Sequence, residues 1–530
     1  MSRATTTERP STEPSAPSSP GRIVGGTIGL LSAAVAIGIA QLTAGMIGGA
    51  SSPILAVGST AIDATPEWLK SFAIRTFGSN DKLALLSGID VLLVIAAVVL
   101  GIAALRRPRV GVIGLVVFGV VGATAALTRP ANGPVDAIPS LVGSAAGIGA
   151  FLLLRRSAGL THAHGETASP PARVPGFDRR RFLWTGAAAI GVAGASGEIG
   201  RLLIGRSDAS DSRAAVRIPA PADPAPPIPA GADLGVPGLG PFLTPNDRFY
   251  RVDTALFVPA VTAERWKLNV HGMVDRPITI DYRRLLERPL IERDVTLTCV
   301  SNEVGGRYIG NARWIGAPLK DLLEEAGVAK EATQIVSRSV DGFTVGTPTA
   351  LAMDGRDAML AVAMNGQPLP IEHGFPVRMV VPGLYGYVSA TKWVIDIELT
   401  TFESYDAYWV KRGWSQQAPI KTESRIDTPR GSASLSAGEV VVAGVAWAQH
   451  RGIDGVDVRI DAGPWTPAEL GAEDTVDTWR QWLFRWNATP GQHTISVRAT
   501  DGTGSTQTAT PAPPFPDGAS GDHTISVGVK

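Results

Sequence analysis

Cys299 is the only cysteine in a chain of 530 residues. An intrachain disulfide is therefore impossible, and so is a cysteine-ligated zinc or iron–sulfur site within one subunit. The residue follows Thr296-Leu297-Thr298 and stands just before Val300-Ser301-Asn302 and a turn at Gly305-Gly306. At the end of an apolar strand a thiol faces a loop-lined region, where reactive groups concentrate. The competing reading is a small buried hydrophobe, the usual role of an isolated cysteine. A second concentration of polar chemistry lies downstream, in Met364-Asn365-Gly366-Gln367-Pro368-Leu369-Pro370, in Glu372-His373-Gly374-Phe375-Pro376-Val377-Arg378, and in Lys392-Trp393.

These residues need rigid elements to hold them. Short β-branched runs at 295–297, 378–381 and 393–399 predict strands and 319–326 predicts a helix, giving a mixed α+β domain over 242–419. From 424 to 530 the pattern is all-β, with alternation over 440–447, 456–461, 482–487 and 493–500. Turn residues at Gly452, Gly455, Pro464, Pro490-Gly491 and Asp501-Gly502 are spaced as in a β-sandwich. No catalytic cluster falls in that region, which reads as a packing or dimerisation module. Residues 206–241 are rich in Pro and Ala, including Pro224-Ala225-Pro226-Pro227-Ile228-Pro229, and predict an extended polyproline tether.

The first third of the chain differs in kind. Residues 1–22 read as a disordered cytoplasmic tail, and 23–205 as an all-α transmembrane bundle of five spans, at 23–48, 83–105, 110–127, 135–154 and 182–204. The high Gly and Ala content suits close helix contact. Arg22, Arg106-Arg107-Pro108-Arg109, and Arg155-Arg156 with Arg179-Arg180-Arg181 fall on alternate loops, which predicts an inside N-terminus and an extracytoplasmic soluble region. The run 178–183, Asp178-Arg179-Arg180-Arg181-Phe182-Leu183, resembles a twin-arginine export signal, the bland alternative being a positive-inside flank. Asp90 is an acid within the second span; its simplest role is to reach headgroups or the bundle interior, while Glu198 and Arg201 can pair at helical spacing.

The downstream motif, Asn-Gly-x-Pro-Leu-Pro-x-x-His-Gly-Phe-Pro-Val-Arg, together with Thr-Leu-x-Cys, resembles the sulfite oxidase family over residues 242–530. The resemblance implies an α+β molybdopterin domain followed by an immunoglobulin-like dimerisation domain, and an enzyme carrying molybdenum-molybdopterin. It implies Cys299 as the metal's thiolate ligand, a soft donor whose thiol deprotonates on coordination. It also implies cofactor contacts from Asn246, Tyr250, Arg251, Asp341, His373, Arg378, Ala390, Thr391 and Lys392, with His373, Arg378 and Lys392 supplying charge-assisted donors to the terminal phosphate. Departures concern the substrate side. Ser301-Asn302-Glu303 stands where sulfite oxidases carry Gly-Asn-Arg, Arg307 is shifted, and Trp414 replaces an active-site tyrosine. Arg307 and Arg313 are the expected anion-orienting residues, Arg313 being equally suited to a structural ion pair.

The expected activity is two-electron oxygen-atom transfer on a small substrate, with a sulfur compound, a sulfoxide or an N-oxide as the classes considered. A non-catalytic surface adhesion or assembly protein keeping the fold is the competing reading, and molybdenum content separates the two. No Cys-x-x-Cys-His motif and no histidine within the spans is present, so a separate electron-transfer partner is expected. The formal net charge is zero, which leaves no electrostatic footprint for nucleic acid. The lipid bilayer and a second copy of the chain, through the last domain, complete the expected partners.

Overall fold

The computed structural model describes residues 21–48, 51–66, 69, 81–129, 133–160, 179–205, 208–255 and 258–530. The chain divides into two compact units at Arg206/Ser207. Most of the expected tail, and Asp178 of the arginine run, lie outside the described residues.

In the first unit, helix Arg22–Ile47 packs against helices Asp81–Arg106, Ile138–Ser157 and Arg179–Gly205. Glycine makes this packing close. A Cβ on Gly29 would strike the Ala97 carbonyl, one on Gly143 would sit 2.5 Å from the Ala36 carbonyl, and one on Gly38 would sit 2.5 Å from that of Ala193. Backbones meet directly where small residues face each other, the mode by which helices associate without a hydrophobic driving force. Among the described residues four helical stretches are long and apolar enough to cross a membrane, Arg22–Ile47, Ser87–Arg106, Pro108–Leu127 and Pro134–Ser157. The fifth expected span does form a helix, Arg179–Gly205, but it does not reach that apolarity. Its Gly/Ala-rich sequence carries Glu198 and Arg201, which pair at 3.2 Å one turn apart. The loop expected after the first span also holds a short helix, Pro53–Ala64.

Among the described residues the second unit carries four sheets. One is mixed, with strands in the order Ile278–Asp281, Lys267–Gly272, Val394–Thr400, Gln334–Ser339 and Thr344–Pro348. Its single parallel pairing joins Lys267–Gly272 to Val394–Thr400. The other sheet of this α+β region is antiparallel and runs through Ile291–Thr298, Ile309–Pro318 and Met359–Met364, with Arg378–Val380 added to the last. Met359–Met364 is buried at every position, as a strand covered on both faces must be. Helix Leu319–Ala326 buries Leu319, Leu322, Leu323 and Ala326, the one-sided spacing of an amphipathic helix, and ends at Gly327 with φ +71°.

Two further sheets form the C-terminal β region. Glu423–Thr428, Gly438–Trp447 and Arg480–Ala488 belong to one, and Ile453–Ile460, Gly491–Asp501 and His523–Val529 to the other. They share an apolar core that includes Val442, Trp482, Ile495, Val497 and Val527.

The Pro/Ala-rich segment does not stand free as a tether. Arg213 donates to the Leu369 and Pro368 carbonyls at 2.8 Å. The Ala222 amide bonds the Leu290 carbonyl at 2.8 Å, and the Leu234 amide reaches Gln481 Oε1 at 2.7 Å. Polyproline geometry leaves backbone groups without internal partners, so they are available to a neighbouring sheet. The same property that favours an extended tether in isolation here favours docking.

Candidate active site

The strand Ile291–Thr298 pairs with Ile309–Pro318 in an unbroken antiparallel register from Ile291↔Gly316 to Thr298↔Ile309. Cys299 is the first residue past its end, and its amide bonds the Tyr308 carbonyl at 2.9 Å. The thiol is thus fixed to a sheet yet opens into a cleft with a cavity volume of about 140 Å³. Burial pushes the Cys299 thiol up, and hydrogen bonding to Ser301 and the charge of Lys392 oppose that rise.

His373, Arg378 and Lys392 line the same cleft, with Tyr250, Asp341, Ala390 and Trp414. Arg378 is buried; its Nη1 donates to the His373 carbonyl at 3.2 Å and its guanidinium lies 5.0 Å from the Trp314 ring centroid. Burial lowers its pKa to about 10, so it stays charged at neutral pH. Its Nε has no partner among the described residues, and neither has the Ser339 hydroxyl in the same cleft. A buried guanidinium N–H without an acceptor is costly and is what an anionic group entering the cleft would satisfy.

Lys392 Nζ donates to Asp253 Oδ2 at 2.9 Å and lies 4.7 Å from the Trp393 ring centroid. Burial lowers it to about 8, with Asp253 acting in the opposite sense. Trp393 carries φ +50°, a left-handed conformation rare for a bulky residue and found where the surroundings dictate a side chain's aim.

His373 departs from the expected charged donor. Burial, reinforced by the charge of Arg378, lowers its pKa to about 4. Its Nε2 lies 3.0 Å from the Asn246 carbonyl, which can only accept, so that bond assigns the proton to Nε2 and leaves Nδ1 an acceptor. The imidazole is therefore neutral at neutral pH, and the cationic side chains lining the cleft are Arg378 and Lys392.

Several expected contact residues act at one remove from the cleft. Asn246 supports His373 and accepts from Asn365 Nδ2 at 2.8 Å, while Thr391 shares a 2.6 Å hydroxyl bond with Ser337. Arg251 pairs with Asp253 at 2.8 Å. Neither residue expected to orient an anion lines the cleft. Arg307 is exposed, and Arg313 forms a two-point ion pair with Asp294, at 2.9 and 2.5 Å. The strand register places those two partners directly opposite each other, so the bond is a cross-strand pair. Sequence reasoning missed Asp253, Tyr387 and Trp409, which also line the cleft. Asp253 had a signal, three residues after Tyr250 in the same segment; the two aromatics had none.

Among the described residues no group of three or more His, Cys, Asp or Glu could hold a metal. A metal beside Cys299 would draw its other ligands from an organic cofactor. The fold and the cleft define a molybdopterin-binding oxidoreductase: residues 255–409 match the family described as the oxidoreductase molybdopterin binding domain. The chain belongs to the sulfite oxidase family of molybdopterin-dependent oxidoreductases, and molybdenum-molybdopterin is its cofactor. It is 34% identical over 150 residues to the uncharacterized oxidoreductase YuiH of Bacillus subtilis, covering 28% of this chain and 72% of that protein. Against mitochondrial sulfite oxidase of Homo sapiens it is 31% identical over 321 residues, covering 51% of this chain. The match spans 58% of that relative's length. Sulfane dehydrogenase SoxCD from Paracoccus pantotrophus aligns with TM-score 0.46 and 24% identity over 51% of this chain and 75% of that one.

Proposed function

We propose that this chain is a membrane-anchored enzyme that transfers an oxygen atom, with two electrons, to or from a small sulfur compound on the outer side of the membrane. The observation that carries the reading is the convergence of Cys299, Arg378 and Lys392 on one cleft. Bound there, the cofactor supplies the redox-active metal at which the oxygen atom is exchanged. Cys299 holds that metal as a thiolate, a soft ligand matched to it. Arg378, with its unpartnered Nε, and Lys392 hold the terminal phosphate through charge-assisted bonds. His373, neutral and lining the same cleft, would be one of the polar groups that hold the cofactor. Asn246 and Thr391 fix the backbone that carries these groups, and Trp414 faces the substrate.

The apolar helices anchor the enzyme with the N-terminus inside, a reading supported by the alternating arginine clusters. Arg179 to Arg181 direct export of the folded domain, and the C-terminal β region acts as an immunoglobulin-like dimerisation module. A separate redox protein exchanges electrons with the site. The direct test is Cys299→Ser in the full chain. The expected result is a folded protein, by circular dichroism, with turnover lost toward sulfite and toward sulfoxides with dye acceptors and donors. Near-stoichiometric molybdenum with unchanged turnover in that variant would overturn the ligand assignment.

A further inference from the structure

Part of the cleft lies beyond the residues assigned above to a phosphate and a metal. Tyr387, Trp409 and Trp414 line it, with ring centroids 5.9 Å apart for Tyr387–Trp414 and 6.1 Å for Trp409–Trp414. These rings are immobilised from behind. The Tyr387 hydroxyl donates to the Ser415 carbonyl at 2.7 Å, Tyr408 meets the edge of Trp409 at 5.1 Å, and Phe515, from the C-terminal β region, meets Trp414 at 5.4 Å. An aromatic surface held in this way offers area for contact at little entropic cost.

The charges of the cleft point the same way. The lining cations, Arg378 and Lys392, are matched by two lining carboxylates, Asp253 and Asp341, while His373 is neutral. A cofactor phosphate would make the balance negative. An inorganic dianion entering beside it would find like charge, and Arg307 and Arg313 are not there to receive it.

The geometry points to a substrate subsite, walled by Tyr387, Trp409 and Trp414, for an uncharged molecule bearing an apolar group of methyl to aryl size beside the atom that is exchanged. Trp409 and Trp414 are its specificity-determining residues. This inference deepens the oxygen-transfer reading and rests on it.

The test uses the full chain purified in detergent with its molybdenum content measured. Calorimetric binding of methyl phenyl sulfoxide, methyl phenyl sulfide and sulfite is compared in the parent, Trp409→Ala, Trp414→Ala and the two Trp→Phe variants. The expected result is binding of the neutral aryl compounds, weakened about tenfold or more by either alanine variant and largely kept by phenylalanine, with sulfite weaker than either in the parent. Tighter sulfite binding, or aryl binding indifferent to the alanine variants, overturns the subsite. The oxygen-transfer reading fails separately, through absence of molybdenum from the parent protein. KM for whichever aryl compound turns over is expected to rise in the alanine variants with a smaller change in kcat.

Discussion

The side-chain amide of Gln449 donates to the Thr298 hydroxyl and to the Thr296 carbonyl, each at 3.0 Å. A residue of the C-terminal β region thereby holds the end of the strand that delivers Cys299. The same strand is gripped again where the Trp479 amide bonds Thr296 Oγ1 at 2.8 Å and the Thr296 amide bonds the Asp477 carbonyl at 3.0 Å. The Gln449 and Trp479 bonds are buried, so their loss leaves polar groups without partners.

Gln449→Leu is expected to cost about 1–3 kcal/mol, the penalty for stranding buried hydrogen-bonding groups. The expected readouts are a lower Tm and lower molybdenum retention, both from one substitution in the C-terminal region. A variant with parental Tm and metal content would show that this region does not hold the strand.

Arg378→Met removes the buried guanidinium with the unpartnered Nε. Cofactor retention after gel filtration is expected to fall more than tenfold, since charge-assisted bonds are the strong ones. The apoprotein should keep its secondary structure. Unchanged molybdenum content would remove Arg378 from the phosphate site.

Arg313→Ala should leave KM unchanged while destabilising the fold. Its partner Asp294 has a side chain only 2% exposed, and a buried carboxylate deprived of its cation costs about 3–5 kcal/mol. Chemical denaturation and steady-state kinetics on the same preparation check the two halves. A large KM change with unaltered stability would restore Arg313 to substrate binding.

Glu423 carries a pH dependence. Burial pushes its carboxyl from an ordinary 4.5 to about 8, Lys421 opposing, and its Oε1 has no partner among the described residues. Folding therefore favours the protonated form. Its contribution is fully present below 4.5 and is lost as pH rises through about 8. Glu423→Gln cannot ionise, so its Tm advantage over the parent is expected to grow from pH 6 to pH 9, on the order of 5 °C. A gap that stays constant with pH would place the ionisation elsewhere.

The sequence made the strand before Cys299, the helix at 319–326 and the alternating strands of the last region legible, because each rests on local periodicity and a turn signal. The gathering of His373, Arg378 and Lys392 was legible through their motif. The charge state of His373 was not, because it follows from burial and from the Asn246 carbonyl, a backbone group without a sequence mark. The aromatic wall was largely invisible for a related reason: Tyr387 sits in the one-turn helix Gly386–Ser389 and Trp409 in a turn, with no period that relates them. Arg313 looked available only because its cross-strand partner Asp294 is set by register. The Pro/Ala-rich segment misled through composition, which reports how a chain behaves alone and not which sheet it meets.

Phe515, in the C-terminal β region, backs the aromatic wall edge-on at Trp414. Synthesis runs from the first residue to the last, so a nascent chain displays Cys299, His373 and Lys392 well before Trp414 acquires its backing ring. An emerging polypeptide can therefore carry the cleft-lining residues before Trp414 is backed by its neighbouring ring. A ribosome that stalls before codon 515 therefore releases a product whose Trp414 lacks that backing ring.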